Sequence, residues 1–319
     1  MGTSFYFIEV LNMGIAVLGL VSEKVDPYWS DIGRGVRSSA KKYKVDANYF
    51  SPPEAGITGP AEDAITSWQR ATIEELISKE IKAIAFAPLN PQPLVPLIKK
   101  AIDLGIPCIT YDLDAAETGR YFYVGTNNYL AGKIACNTLA TLIGFKGEIV
   151  IDTPSLIAQS CTERIKGFKE TIIRYPNIRI VEVVSGEEDP AKIISVATRT
   201  LSTYKNLSGI FCVAGVSSAA NARGVKMKIK EDKIKIVSFD AIPEVIEFIR
   251  QGIINATIAQ RPYTIGYRVV EFLYQMINYG VDGVLRSIPP SRIIDTGVDI
   301  ITRENLEEYL SSQIDCKDL

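Results

Sequence analysis

The sequence predicts an α/β fold built as two doubly wound parallel-sheet lobes. Three observations carry this. Apolar runs of roughly four to eight residues alternate with longer amphipathic stretches, the rhythm of strand and crossover helix. The strands counted this way are too many for one comfortable sheet, and 319 residues suffice for two packed domains. No low-complexity segment or long Gly/Ser linker separates the halves, so the lobes are expected to share direct crossovers.

The first strand is expected within 14–21 (GIAVLGLV), followed by a helix over about 27–44. A strand at 45–50 and a helix over about 60–79 come next. Strand 83–87 leads to helix 93–104, and strand 107–111 ends in Asp112-Leu113-Asp114. A short strand at 122–124 precedes helix 129–143. The rhythm then repeats with strand 148–152, helix 160–175, strand 178–184 and helix 190–204. Strand 209–213, helix 217–228, strand 234–239 and helix 243–250 follow. Strand 256–259 and helix 263–279 close the series. The tightest punctuation falls at Gly125-Thr126-Asn127-Asn128, Gln260-Arg261-Pro262 and Ile288-Pro289-Pro290. Crossovers there give an N-terminal lobe of 14–126 plus 261–290 and a C-terminal lobe of 127–260 plus 291–319.

Composition narrows the chemistry. The chain has no histidine, which removes Ser-His-Asp and Cys-His catalysis and His-containing zinc sites. Its 35 basic and 37 acidic residues leave a net charge of −2 and no basic run, so nucleic acid is not an expected partner. The cysteines (Cys108, Cys136, Cys161, Cys212 and Cys316) are widely spaced and form no CxxC pair. Cys108 and Cys212 sit inside apolar runs and read as core thiols. No P-loop or GxGxxG follows the first strand; Gly33-Arg34-Gly35 falls inside a helix. No cofactor or metal is expected, and no nucleophile motif supports an enzyme. The stretch 5–20 is apolar but broken by Glu9 and Asn12, too short and polar to span a bilayer. Met1-Gly2-Thr3-Ser4 reads as an appended leader in place of a native signal or anchor.

In open parallel sheets, ligands bind beyond the carboxyl ends of the strands. Ser22, Asp26, Tyr28 and Trp29 follow the first strand, and Asp112 and Asp114 follow the fourth. Asp240 follows 234–239, and Gln260 follows 256–259. Carboxylates, an amide and aromatic faces suit a neutral polyhydroxylated ligand. Each residue also has a plainer role. Asp26 before Pro27 is a good helix cap, and Tyr28 and Trp29 fit a core. Asp112 and Asp114 fit a turn, Asp240 fits a cap before Pro243, and Gln260 fits a structural amide. Arg164, on a helix, fits a surface ion pair or a strut bridging the lobes.

Together these segments resemble the type I periplasmic sugar-binding proteins, ribose-binding-like branch, over nearly the whole chain. The carrying segments begin with Asp26-Pro27-Tyr28-Trp29, Gly105-Ile106-Pro107-Cys108-Ile109-Thr110-Tyr111-Asp112 and Gly125-Thr126-Asn127-Asn128-Tyr129-Leu130-Ala131-Gly132. They continue with Glu163-Arg164-Ile165-Lys166-Gly167-Phe168, Ser238-Phe239-Asp240 and Ala259-Gln260-Arg261-Pro262-Tyr263. The resemblance implies two lobes joined by three crossovers and closing on a ligand. It implies Asp112, Asp240 and Gln260 as hydroxyl partners, Tyr28 and Trp29 as an aromatic platform, and Ser22 and Asp26 as further ligand-facing positions. Where ribose-type proteins carry ligand arginines, asparagine and an aromatic, this chain has Leu113, Thr162, Ala214 and Glu188. The Asp112-x-Asp114 pattern recurs in a subgroup resembling receptors for other sugars and for autoinducer-2.

The resemblance implies a periplasmic or extracellular protein at a membrane, handing a carbohydrate to an ABC permease. The alternative is a sensor subunit reporting to a histidine kinase's extracellular domain or a chemoreceptor. Lactose-type repressors share the fold but need a helix-turn-helix segment ahead of the first strand, which here begins near Gly14.

Overall fold

The structure, a computed structural model, describes residues 14–24, 26–52, 61–186, 189–227 and 233–315. The expectations resting on the N-terminal leader, Pro60, Glu188, Lys228 and Cys316 concern residues outside that set. The chain begins β1 (Ile15–Leu18), α1 (Pro27–Tyr43), β2 (Ala47–Phe50), α2 (Ala61–Ser78) and β3 (Ala83–Phe86). Next come α3 (Val95–Asp103), β4 (Cys108–Tyr111), β5 (Tyr123–Gly125), α4 (Asn128–Leu142) and β6 (Gly147–Thr153). Then follow α5 (Gln159–Ile172), β7 (Ile178–Ser185), α6 (Pro190–Thr203), β8 (Leu207–Cys212) and α7 (Gly215–Met227). They are succeeded by β9 (Lys235–Phe239), α8 (Pro243–Arg250), β10 (Ala256–Gln260) and α9 (Pro262–Tyr279). The chain closes with α10 (Val281–Ser287), β11 (Ile293–Asp295), β12 (Val298–Ile301) and α11 (Leu306–Asp315).

These elements form two compact units. Unit 1 runs to Gly125 and takes in Pro262–Asp295; unit 2 holds Thr126–Arg261 and resumes at Thr296. Each has a six-stranded sheet, in the order β2-β1-β3-β4-β5-β11 and β7-β6-β8-β9-β10-β12. Every pairing described is parallel except that of β12 with β10. In each sheet the chain steps out to one edge and then returns past its first strand. That reversal is the switch point at which α/β sheets open a ligand crevice.

The expected boundary near Pro289-Pro290 needs correction. Residues 291–295 were assigned to the C-terminal lobe, but Ile293, Ile294 and Asp295 pair with Tyr123, Val124 and Gly125. The proline pair turns the chain into the last strand of unit 1, and the crossing comes at Asp295/Thr296.

The strands read as continuous apolar runs because both sheet faces are covered. In unit 1, Ile15, Val17, Ala85 and Ile109 meet α1 and α9 through Ile32, Val36, Ile265 and Val269. Their neighbours Ala16, Leu18, Ile84 and Phe86 meet Ile73, Leu76 and Ile98 on the other face. Unit 2 repeats this, with Ile149, Ile151 and Phe211 against α4 and α5, and Val150, Ile210 and Ile236 against α7 and α8. Each large aliphatic side chain buried this way contributes about 1.5–3 kcal/mol.

One helix pair in each unit crosses through reciprocal glycines. A Cβ on Gly35 of α1 would lie 2.1 Å from the Tyr263 carbonyl oxygen, and one on Gly266 of α9 would lie 2.0 Å from that of Ile32. In α4 and α5, a Cβ on Gly132 would lie 2.0 Å from the Arg164 carbonyl oxygen, and one on Gly167 2.0 Å from that of Tyr129. Backbone meets backbone at both crossings, so no side chain fits there.

Candidate functional site

Both units place an aspartate directly after an apolar strand, in the left-handed region. Asp112 follows β4 with φ +60°, and Asp240 follows β9 with φ +66°. Asp and Asn tolerate this conformation better than most side chains. Each backbone N–H donates to the neighbouring strand: Asp112 to the Val124 carbonyl at 3.2 Å, Asp240 to that of Ile258 at 3.0 Å. The ladder thus fixes the backbone while the side chain turns off the strand end.

In unit 1, the Tyr28 hydroxyl donates to Asp112 Oδ1 at 2.5 Å. Tyr28 is held at the start of α1, where Asp26 caps the helix by accepting the Tyr28 N–H at 2.8 Å and Pro27 occupies the first helical position. The Tyr123 hydroxyl donates to the Asp112 carbonyl at 3.0 Å. Ser22 is nearly buried and accepts the Lys24 N–H at 3.3 Å. Beneath this edge, the Tyr49 hydroxyl donates to the Val21 carbonyl at 3.3 Å. Burial, with the carboxylates of Glu23, Asp112 and Asp26 nearby, pushes the Tyr49 hydroxyl pKa well up.

Two unit 1 expectations are corrected. Trp29 is not an open platform: it is 6% exposed and packs edge-on against Tyr28 and Tyr111 in the unit 1 core. Its position one residue past Tyr28 turns it to the inner face of α1. Asp114 is consumed by its own loop. Its Oδ1 accepts from Thr110 Oγ1 at 2.7 Å, the Ala115 N–H at 2.8 Å and Arg120 Nε at 2.8 Å, while Oδ2 takes Arg120 Nη2 at 2.5 Å. A bidentate guanidinium and two further donors leave the carboxylate as a loop anchor.

In unit 2, Asp240 Oδ1 accepts Gln260 Nε2 at 2.9 Å, and Oδ2 accepts the Gly215 N–H at 3.3 Å. Gly215 opens α7, so the carboxylate faces the positive end of a helix. The Thr257 hydroxyl donates to the Asp240 carbonyl at 2.6 Å. Asp240 is not the cap of α8, because that position falls on Ile242, which makes no side-chain cap bond. Gln260 ends β10, and its Oε1 accepts the Thr126 hydroxyl at 2.8 Å.

Arg164 is not a surface ion pair. It is 5% exposed within unit 2, where Nε donates to Asn128 Oδ1 and Nη1 to the Val213 carbonyl, both at 2.9 Å. Its guanidinium lies 3.5 Å from the Phe239 ring centroid. Buried arginines ordinarily have an acidic partner, and none stands beside this one among the described residues.

Sequence reasoning passed over three residues. Thr126 is 134 positions from Gln260, so nothing local signals their bond. Arg120 gives no hint of its hold on Asp114. Asn90 stands half-buried beyond β3 and could have been found by treating that strand's end like the others. A cavity of about 480 Å³ also opens in unit 2, lined by Ile193, Ile194, Val216 and Ile242 among others. None of the predicted side chains lines it. Among the described residues, no group of three or more Cys, Asp or Glu could hold a metal ion. No described helix is long and apolar enough to cross a membrane.

Two doubly wound units, each carrying a braced acceptor carboxylate beyond its sheet, define a ligand-binding protein of the two-lobed α/β class. The chain belongs to the type I periplasmic sugar-binding protein family: the profile for the periplasmic binding protein domain matches residues 18–280. It is 26% identical over 279 residues to the D-allose-binding periplasmic protein of Escherichia coli, covering 85% of this chain and 87% of that one. It is 30% identical to an ABC transporter solute-binding protein of Burkholderia graminis solved with D-arabinose. That likeness has a TM-score of 0.78 over 93% of this chain and 98% of the other. A 25% identical neighbour, TM-score 0.72 over 92% of this chain and 99% of that one, is XylFII in its complex with LytSN. This is a family of binding proteins, not enzymes.

Proposed function

We propose that the protein binds a small carbohydrate, a pentose, hexose or related polyol, outside the cytoplasm and presents it to a membrane ABC transporter. The observation that carries this is the matched pair of strand-end carboxylates, Asp112 and Asp240. Both are acceptors at the carboxyl end of a sheet, and sugar hydroxyls are the donors such carboxylates suit. The second Gln260 Nε2 proton can donate to a sugar oxygen, and the half-exposed Tyr28 ring can cover C–H surface. Ser22, Arg164 and Asn90 supply further polar groups at the same edges. Asp26 serves chiefly to hold Tyr28. The relatives named for D-allose and D-arabinose support the ligand class, and the periplasmic relative supports the location.

The likeness to XylFII, solved with LytSN, favours a second reading, a sensor subunit whose ligand state is read by a membrane kinase. The deciding experiment is a thermal shift screen over pentoses, hexoses, deoxy sugars, inositols and autoinducer-2. At 100 times its Kd, a ligand adds about 2.7 kcal/mol of stability, which moves Tm by a few degrees. A shift with one sugar supports the reading. No shift with any carbohydrate overturns it. Co-purification with a kinase's extracellular domain rather than a permease would move the assignment to the sensor.

A further inference from the structure

We infer that Thr126 is a positioning residue for the ligand site of unit 2, acting through the Gln260 amide on Asp240. The inference rests on the assignment of Asp240 to carbohydrate binding. The geometry is a directed chain: Thr126 Oγ1 donates to Gln260 Oε1 at 2.8 Å, and Gln260 Nε2 donates to Asp240 Oδ1 at 2.9 Å. A primary amide has a donor end and an acceptor end, and rotating it by half a turn exchanges them. The carboxylate only accepts, so Nε2 faces it, and the Thr126 hydroxyl supplies the donor that the opposite end of the amide, Oε1, then needs. Reversed, Oε1 would oppose Asp240 and leave the carboxylate without its amide donor.

Thr126 is 2% exposed, so no solvent replaces its hydroxyl. It is also the residue at which the chain enters unit 2. The Asp240 carboxylate is held on its other side by the Gly215 N–H, and its backbone by the Thr257 hydroxyl. The amide is therefore the one side-chain donor to the carboxylate itself among the described residues. Fixing it also aims the second Nε2 proton, the donor a sugar oxygen would meet. Thr126 thus supports both the acceptor and the donor that unit 2 offers at this edge.

The test compares Thr126→Val, which keeps the shape and removes the hydroxyl, with Thr126→Ser, which keeps the hydroxyl. Asp240→Asn is the control for the site. Titrations with D-allose and D-arabinose follow binding. The side-chain amide resonances of Gln260 in the sugar-free protein supply a readout independent of any ligand. Removing one buried hydrogen-bond donor is worth about a tenfold change in Kd. T126V should therefore weaken binding by about that factor and average the Gln260 amide signals, while T126S retains both wild-type behaviours. A fixed Gln260 amide in T126V overturns the inference whether or not either sugar binds. So does wild-type affinity in T126V when D240N has lost it. A lower Tm in T126V with unchanged affinity gives Thr126 a structural role only and likewise overturns it. Wild-type affinity in D240N instead removes the site assignment on which the inference stands.

Discussion

Asp112 and Asp240 occupy equivalent places in the two units, yet they are braced by different chemistry. Both follow the last residue of an apolar strand at positive φ, and both tie their N–H to the next strand. Asp112 is gripped by a phenol from the first turn of α1, supplied by a residue that an N-cap and a proline hold in place. Asp240 is gripped by an amide at the end of β10 and by the first N–H of α7. The backbone device is thus common, and the side-chain support is particular to each unit. A phenol offers one donor that rotates about its own bond. The amide offers two donors in a fixed plane, one spent on the carboxylate and the other left for a ligand.

The largest expected effect comes from removing each charge in turn. Asp112→Asn and Asp240→Asn preserve the backbone preference and each should weaken sugar binding by about 3 kcal/mol, roughly a hundredfold, by calorimetric titration. A loss in one variant only would show that the matched placement does not mean matched roles.

A second asymmetry lies beneath the unit 2 edge. Asp152 is fully buried, and Oδ2 accepts from Asn221 Nδ2 at 2.7 Å. Burial raises its pKa from 3.8 to about 6. The folded state then holds a proton that the unfolded chain releases near pH 4. Stability contributed by that proton is complete below pH 4 and is lost as pH rises through 6. Asp152→Asn should remove this slope, worth about 2–3 kcal/mol, in denaturant melts compared at pH 4 and pH 7. Parallel pH dependence in variant and wild type would refute it.

Next come the glycine crossings. Gly132→Ala and Gly35→Ala should each cost about 1–3 kcal/mol in Tm-derived stability, because their carbons meet backbone oxygen. Both should also disturb binding, since the first displaces the helix that carries Arg164 and the second the helix that carries Tyr28. Tyr28→Phe removes one donor from Asp112 and should weaken binding by about 1 kcal/mol. The smallest effect is expected from Asp114→Asn: loop stability falls while Kd stays within about threefold, less than 1 kcal/mol. A hundredfold loss there would return Asp114 to the ligand row.

The fold was largely legible, because apolar runs alternating with helical periodicity leave few other arrangements. The last forty or so residues were not. β11 is a three-residue strand behind two prolines and β12 is antiparallel, so neither continues the rhythm. Asp112 and Asp240 were legible as acids ending apolar strands. Trp29 and Asp114 were misread because burial and partners decide their roles. A sequence shows Trp beside Tyr, but not which of the two the helix turns inward. It shows Asp114, but not that Arg120 folds back onto it.

The positive φ at Asp112 and Asp240 also bears on how such a protein can change over generations. Before any ligand is chosen, that backbone admits few letters, with Asp, Asn and Gly the comfortable ones. Drift at these two positions is therefore narrow, and they would persist through a change of cargo. New specificity has to be written beside them, at residues such as Leu113 and Ala214, whose backbone imposes no such restriction. The two aspartates are the part of the site that inheritance can least afford to edit, and their neighbours are where its history would be recorded.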